Sequence, residues 1–134
     1  MKHNHDYLVQ ADVEVTVLVD VLADTFGEAL LCAKQRASDS VQVKDTAQCK
    51  MLSKAADRLE KSVTVVQDWG EYSFLYPVCL KMALLADGTD EKLAYSNAES
   101  QIRRAIEVDY PCLLAEIEIT SISYHQVAEL QRAA

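Results

Sequence analysis

The chain has 134 residues, half of them hydrophobic, and a net charge of −8. This length favours a single domain spanning 1–134, and three glycines and two prolines are too few for a disordered chain. The acidic charge argues against direct nucleic-acid binding, because such domains are usually basic. No apolar run approaches the roughly 20 residues of a membrane span, and the polar start is unlike a signal peptide. We therefore predict a cytoplasmic protein that does not contact a membrane.

The clearest predicted element is a strand over residues 7–22. Valine holds every odd position from Val13 to Val21, and polar residues hold several even positions. Successive strand residues point to opposite faces, so this alternation predicts a strand whose valine face is buried. β-branched side chains also suit a pleated strand better than a helix. Residues 1–6 and 126–134 are expected to be flexible tails.

A first helix is predicted to follow this strand. Thr25 and Glu28 fit a capping box, in which the Thr25 hydroxyl accepts a hydrogen bond from the Glu28 amide. Apolar residues then recur at helical spacing as far as Ala37. Residues 41–43 could form a short extended piece after the helix.

A second helix is predicted over residues 45–61, with an apolar stripe along one side. Its basic residues recur at spacings of four, four and three, which would gather them on the outer side. These residues are Lys50, Lys54, Arg58 and Lys61. Most such charged faces are simply solvated, but this one could also dock an acidic partner. A phosphate-binding role would need a glycine-rich loop, which the sequence lacks.

Two strands joined by a turn are predicted next, over residues 62–67 and 72–85. The turn at 68–71 contains Gly70, which can take a positive φ. The second strand alternates apolar residues along its length. Pro77 lies inside it and lacks an N–H, so we expect this residue at a strand start or a bulge and not at a central pairing position.

The C-terminal part is predicted to be a helix followed by a strand. Asp87 or Thr89 can cap the helix, and the sequence from Asp109 to Pro111 ends it. The strand covers residues 113–124. Its alternation changes phase near Thr120, which indicates a β-bulge.

The two halves of the chain share a pattern. Residues 21–25 at the end of the first strand match residues 84–89 at the end of the third, and both lead into a helix. The apolar faces of these two strands then agree over five positions. We therefore predict an α+β fold: a single four-stranded antiparallel sheet with helices on one face, in a ferredoxin-like split βαβ arrangement. The first and third strands are central, and the extra helix lies between helix one and strand two.

The helix-free face of this sheet would carry carboxylates on adjacent strands, beside Lys81. These carboxylates are Glu14, Asp20, Glu116 and Glu118. Like charges on neighbouring strands repel unless they are solvated or paired. Three roles stay open for these carboxylates. They keep the sheet face hydrated, they form a recognition surface with Leu18, Val66 and Leu114, or two of them bind a divalent metal. A metal needs several converging oxygen ligands, which the spacing does not require, so we predict no metal site.

Catalytic motifs are missing from the sequence. It has no nucleophile elbow, no glycine-rich nucleotide fingerprint and no His-Glu-x-x-His zinc motif. Two of the three histidines lie in the N-terminal tail, which leaves His125 as the candidate base. The four cysteines lie far apart with no Cys-x-x-Cys pair, which indicates reduced, structural thiols. We therefore predict a protein that is not an enzyme and holds no cofactor.

Trp69 stands out on the predicted surface. It lies at the hairpin tip between Asp68 and Gly70, where burial is hard to arrange. Tryptophan is enriched among the residues that dominate protein interfaces, so Trp69 could anchor a partner. In the alternative, its ring folds back over the sheet edge.

These features predict a small acidic interaction protein, an adaptor or inhibitor, that binds another protein. In a sharper version, its acidic surface competes with nucleic acid for a basic site on the partner. The predicted partner-binding residues are Trp69, Glu14, Asp20, Glu116, Glu118, Lys50, Lys54 and Arg58. Two alternatives stay open: a small-molecule sensor with a cleft between sheet and helices, and an enzyme whose site forms only in the fold. In all three cases we expect a homodimer, because an open sheet edge needs protection.

Overall fold

The computed structural model describes residues 5–44, 49–56, 63–68 and 70–126, which contain seven strands and two helices. In chain order these elements are β1 (His5–Leu22), α1 (Phe26–Ser40), β2 (Val41–Val43), β3 (Cys49–Ala55), β4 (Val63–Asp68), β5 (Glu71–Gly88), α2 (Glu91–Ala105), β6 (Ile106–Val108) and β7 (Leu113–Gln126). The predicted α+β class is confirmed. Neither helix of these described ranges is long and apolar enough to cross a membrane.

The main sheet has the strand order β3-β5-β1-β7, and β4 also pairs with β5. β1 and β5 are both 18 residues long and pair along their whole length, from His5 opposite Gly88 to Leu22 opposite Glu71. They are the central strands, as predicted. β3 and β4 occupy successive parts of one edge of β5, and β7 pairs with the outer edge of β1. A separate two-stranded sheet joins β2 to β6.

The ferredoxin-like split βαβ arrangement is not confirmed. Each described strand pair is antiparallel, as predicted, including the central pair of β1 and β5. The two short strands that follow the helices pair with each other and form a second sheet, which the predicted arrangement does not contain.

The prediction of an extra helix over residues 45–61 is wrong for its described part. Residues Cys49–Ala55 form β3, which pairs with Cys79–Leu84 of β5. A spacing of four residues fits one face of a strand as well as one face of a helix, so the pattern alone could not separate the two. Pairing with β5 decides the outcome, because tertiary context overrides local propensity. Arg58 and Lys61 lie outside the described residues.

The core lies between the two helices and one face of β1 and β5. Every odd residue of β1 from Tyr7 to Val21 is buried, and so is every even residue of β5 from Tyr72 to Ala86. The helices meet this face mainly with small side chains, which lets them approach the sheet closely. These are Ala29, Ala33 and Ala37 of α1, and Ala94, Ala98 and Ala105 of α2. The large side chains of the core come mainly from the sheet. Each large apolar side chain that the sheet buries contributes about 1.5–3 kcal/mol to folding stability.

The helix starts follow the capping rules. The Glu28 amide donates to the Thr25 hydroxyl at 3.2 Å, as predicted, and α1 continues three residues beyond Ala37 to Ser40. The second helix is capped by Asp90 and not by Asp87 or Thr89. Its carboxylate accepts from the Leu93 amide at 2.9 Å. Both caps satisfy an amide that has no partner inside the helix.

Turn and bulge signals also fall where the sequence places them. Gly70 has a φ of 80°, in the left-handed region that favours glycine. The pairing of β7 with β1 skips Thr120, which confirms the predicted bulge, and the Thr120 hydroxyl donates to the Asp12 carbonyl at 3.1 Å. This bond also shows that even residues of β1 turn their backbone groups towards β7.

Pro77 lies in the middle of β5, between the stretches that pair with the described residues of β3 and β4. It is opposite Thr16, an even residue of β1, so its backbone faces away from β1 and towards the β3 and β4 edge. The described pairing with β3 reaches Cys79, and the described pairing with β4 begins at Leu75. The prediction of a strand start or a bulge is wrong, because Pro77 pairs with Thr16 inside β5 without a register shift. Its missing N–H removes no hydrogen bond to β1.

The internal repeat is present in three dimensions at an offset of 65 residues, whereas the predicted match of Val21 with Leu84 has an offset of 63. α1 and α2 are both 15 residues long, and their first residues, Phe26 and Glu91, are 65 positions apart. At this offset the buried helix positions coincide, and β2 and β6 follow with the same burial pattern. The described residues thus form two equivalent units, a first unit (residues 5–68) with β1, α1, β2, β3 and β4, and a second unit (71–126) with β5, α2, β6 and β7. β3 and β4 of the first unit together correspond to β7 of the second. The final strands of each unit pair with the first strand of the other unit.

Two reciprocal hydrogen bonds mark the symmetry between the units. The Lys44 amide donates to the Ala105 carbonyl at 2.9 Å, and the Asp109 amide donates to the Ser40 carbonyl at 2.8 Å. Residues 44 and 109 are equivalent at the offset of 65, and so are residues 40 and 105. Each bond is therefore the counterpart of the other, which indicates an approximate two-fold axis between the units.

Candidate interaction surface

The face of the main sheet opposite the helices carries the predicted acidic surface. From Gln10 to Leu22 of β1, the strand register projects six described carboxylate side chains and two lysines from this face, with a net charge of −4. Asp6 and Asp87 lie opposite each other on the same face, beyond this stretch. We call these eight residues the acidic face: Asp12, Glu14, Asp20, Glu71, Glu116, Glu118, Lys50 and Lys81. The structure thus brings together the four carboxylates that the sequence predicts as binding residues.

Three glutamates form the densest part of the acidic face. Glu14 lies directly opposite Glu118, and Glu116 lies opposite Thr16 on the next rung of the same strand pair. Side chains directly opposite in an antiparallel pair have Cβ atoms about 4.5–5.5 Å apart, at which like charges destabilise the sheet. Glu116 and Glu118 are exposed, and Glu14 is half-buried. Water or a positively charged partner would relieve this repulsion.

Asp12 and Asp20 of the face have neighbours that balance or hold them. Asp12 lies opposite Lys81, an opposite-charge pair across β1 and β5. Asp20 accepts a hydrogen bond from the Ser73 hydroxyl at 2.5 Å, which fixes its side chain.

An apolar strip borders the glutamates. Leu18 lies opposite Leu75 of β5 and opposite Leu113 of β7, whose side chain is 56% exposed. Leu114, predicted for this strip, pairs instead with Val17 and projects to the helix side, because the register of β7 shifts there. The side chain of Val66 lies outside the described residues. The face therefore combines exposed leucine with dense negative charge.

The predicted basic surface is not formed by its described members. Lys50 lies opposite Ala83 and projects onto the acidic face, whereas Lys54 lies opposite Leu80 on the helix side. A register shift in β3 between these lysines separates them. Lys54 donates from Nζ to the Val41 carbonyl at 3.1 Å, so it links β3 to the small sheet. Arg58 and Trp69 lie outside the described residues, and their roles stay predictions.

The chemistry of the face suits binding of cationic groups. A cavity of about 360 Å³ opens between β3, β5, β1 and the bulge of β7, with Asp12, Glu14, Cys79 and Lys81 in its lining. Across the described ranges, no three His, Cys, Asp or Glu side chains are grouped to hold a metal ion. All four cysteines are free thiols. The cavity lining therefore combines two carboxylates with one lysine.

Sequence reasoning missed two polar residues at the end of the face. Ser73 binds Asp20, and Arg36 of α1 donates from Nη1 to the Asp20 carbonyl at 2.6 Å. No local sequence pattern distinguishes Arg36 from other exposed basic residues. When the two helices of the repeat are aligned, Arg36 is equivalent to Gln101. This equivalence is the sequence signal by which Arg36 could have been identified.

Comparisons with known proteins give no relative from which a role could be inferred. No protein-family model matches the chain, and neither a curated protein nor a solved structure matches it.

Proposed function

We propose that this protein is a non-catalytic adaptor or inhibitor whose acidic face binds a basic surface of another protein. The observation that carries this proposal is the cluster of Glu14, Glu116 and Glu118 on two adjacent strands of a helix-free sheet face. Like charges on adjacent strands repel, and a partner with positive charge would relieve this repulsion.

The apolar strip favours a protein partner over simple solvation of the face. A sheet face that only contacts water is usually polar along its length. Here Leu18, Leu75 and Leu113 run beside the glutamates. An apolar patch with a charged rim is the usual composition of a protein interface, in which charges give specificity and association rate.

In its sharper version, the partner surface is one that binds nucleic acid. Such surfaces are rich in lysine and arginine that contact phosphates. A row of carboxylates on a sheet could occupy the same cationic groups and block the nucleic acid. The free thiols support a reducing compartment such as the cytoplasm, where such partners occur.

The proposal is tested by isolating the protein with its partner from its own host and recording a native mass spectrum. The partner found there is then titrated with the double variant Glu116→Lys and Glu118→Lys, which should weaken binding about tenfold or more. A control with the same change in net charge, Asp39→Lys with Glu99→Lys on the helices, should bind as the wild type does. Equal affinities for both double variants would contradict the proposal.

Competition identifies the kind of partner surface. If the partner uses a nucleic-acid-binding surface, duplex DNA or RNA should displace this protein from it, and binding should weaken steeply with salt. A ternary complex of all three would show that the acidic face binds elsewhere on the partner. Trp69→Ala, tested alone and with Glu116→Lys, measures whether the hairpin tip adds to the same interface.

A further inference from the structure

One edge of β1 is open at the end of the sheet. β7 begins at Leu113, which pairs with Leu18, so the last four residues of β1 extend beyond it. No strand of the described residues pairs with this stretch, Val19–Leu22, on the side away from β5. Even residues of β1 turn their backbone groups to that side, so Asp20 and Leu22 face outwards. We call Val19–Leu22 the open edge.

The equivalent edge in the second unit is closed. β5 extends beyond β3 in the same way, but two side chains of α2 satisfy its carbonyls. Gln101 donates to the Leu85 carbonyl at 3.1 Å, and Asn97 donates to that of Asp87. In the first unit Arg36 takes the role of Gln101, whereas the residue equivalent to Asn97 is Cys32. Among the described residues, no side chain donates to the Leu22 carbonyl.

Two adjoining grooves run along the open edge. One, of about 510 Å³, is lined by Asp20, Arg36, Glu71 and Pro111 among others. The next, of about 520 Å³, is lined by residues that include Asp24 and Glu28. Both grooves include Leu22, whose side chain is 75% exposed. Four carboxylates against one guanidinium give the pair of grooves a charge of −3.

We propose that an extended, basic segment of the protein partner adds to the open edge as a further strand, in line with β7. This proposal rests on the proposed function and names the form in which the partner binds. In strand addition, main-chain hydrogen bonds supply affinity and alternate side chains supply specificity. Here the N–H of Asp20 and the N–H and carbonyl of Leu22 offer the backbone groups, while the Asp20 carbonyl is bound by Arg36. The Asp20 and Glu71 carboxylates meet the basic side chains that project onto the acidic face.

The described ends of the chain lie far from the open edge. β7 ends at Gln126 opposite Tyr7, fifteen positions along β1 from Leu22, which is about 50 Å of strand. β1 begins at His5, at the same distant end. The negative grooves therefore favour a basic segment from another molecule.

The test uses a synthetic peptide, acetyl-Lys-Val-Lys-Val-Lys-Val-amide, which is basic, alternating and β-prone. Its binding should slow hydrogen exchange at the Asp20 and Leu22 amides of the wild-type protein. The same peptide with every backbone amide N-methylated keeps its charges but loses its main-chain donors, so it should bind about tenfold more weakly. Equal binding of the two peptides would overturn strand addition, because charge alone would then explain the affinity.

A matched pair of variants removes one backbone donor from the protein. Leu22→Pro deletes the outward N–H, which makes no bond to β5, and proline is tolerated at such edge positions. Leu22→Ala removes the same side chain and keeps the N–H. The proline variant should bind the peptide about five- to tenfold more weakly than the alanine variant. Similar affinities would overturn the proposal, and exchange protection in the wild type decides the matter if Leu22→Pro does not fold.

The outcomes separate this proposal from the proposed function. If the Glu116 and Glu118 variants lose the natural partner while Leu22→Pro keeps it, the acidic face binds the partner and strand addition is wrong. If Leu22→Pro loses the partner and the glutamate variants keep it, the role of the acidic face is wrong. Exchange protection of Leu22 that appears without peptide as protein concentration rises would show a second copy on the edge, which also overturns the basic segment.

Discussion

Arg36 and Gln101 make the same hydrogen bond in the two units of the repeat. Arg36 donates to the Asp20 carbonyl at 2.6 Å, and Gln101 donates to the Leu85 carbonyl at 3.1 Å. The two donor residues are 65 positions apart, and so are the two acceptor residues. This is the offset that relates the two helices. Both side chains reach from a helix to the free edge of a central strand, so the repeat extends from burial pattern to individual hydrogen bonds.

This equivalence predicts that glutamine can replace Arg36. Arg36→Gln should retain the bond to Asp20 and change the free energy of unfolding by less than about 0.5 kcal/mol. Arg36→Ala should lose the bond and destabilise by about 0.5–1.5 kcal/mol. Urea unfolding measures both. If glutamine destabilises as much as alanine, the Arg36 bond depends on charge or stem packing and is not the counterpart of the Gln101 bond.

Alanine substitutions at two glycines, Gly27 and Gly88, are expected to change the stability of the protein in opposite directions. A Cβ at Gly27, in the first turn of α1, meets nothing within 4 Å, so Gly27→Ala should stabilise by about 0.5–1 kcal/mol. A Cβ at Gly88 would lie 2.7 Å from the Ala94 amide nitrogen, so Gly88→Ala must shift α2 or β5. It should destabilise by about 1–3 kcal/mol. Thermal unfolding checks the pair, and the same sign for both would contradict the close approach at Gly88.

Because its pKa is raised, Tyr124 is expected to make the folded protein less stable at alkaline pH. Burial raises the pKa of Tyr124, with further contributions from Tyr95, Glu91 and Glu99. The raised pKa means that the native protein keeps this proton above pH 10, near which an unfolded tyrosine releases it. The contribution to stability is therefore complete below about pH 10 and is lost as pH rises through the folded pKa.

Tyr124→Phe provides the control for this pH dependence. The Tyr124 hydroxyl is buried and has no hydrogen-bond partner among the described residues, so phenylalanine should cost little or should stabilise. Unfolding free energies measured between about pH 9 and 11 should fall less steeply for Tyr124→Phe than for the wild type. Identical slopes would show that Tyr124 titrates normally in the native protein.

The central strands and the helices were predictable because they follow one dominant physical signal. The odd valines of β1 and the even apolar residues of β5 alternate over their whole length, and each alternation faces the core. Thr25 and Gly70 then mark boundaries through local backbone chemistry that needs no tertiary information. The coarse prediction of an antiparallel sheet with β1 and β5 central therefore follows from sequence.

The edge strand and the topology were not predictable by the same reasoning. Lys50 and Lys54 are four residues apart, a spacing shared by helix and strand, and only pairing with β5 separates them onto two faces. The pairing of β2 with β6 joins strands of three residues, too short to carry a pattern. In the acidic face, Glu14 and Glu118 are 104 positions apart, and only the register of β7 makes them direct neighbours.

Glu14 and Glu118 lie directly opposite each other, and the last prediction concerns this pair. We expect one substitution there to raise stability and to weaken partner binding. Glu118→Gln removes one of two like charges that face each other across β1 and β7, so it should stabilise the protein by about 0.2–1 kcal/mol at low salt. The gain should shrink in about 1 M salt, where the Debye length is about 3 Å. Glu107→Gln, which breaks an exposed ion pair of 2.7 Å with Lys44, is the control and should not stabilise.

The same Glu118→Gln variant should bind a basic partner more weakly while it unfolds at higher urea concentration. Residues that improve function at a cost to stability behave in this way, because the unfavourable charge is kept for the complex. Urea unfolding and partner titration on one protein preparation measure both effects. Greater stability with unchanged partner affinity would show that the glutamate cluster only keeps the sheet face hydrated, and would remove the main support for the acidic face as a binding surface.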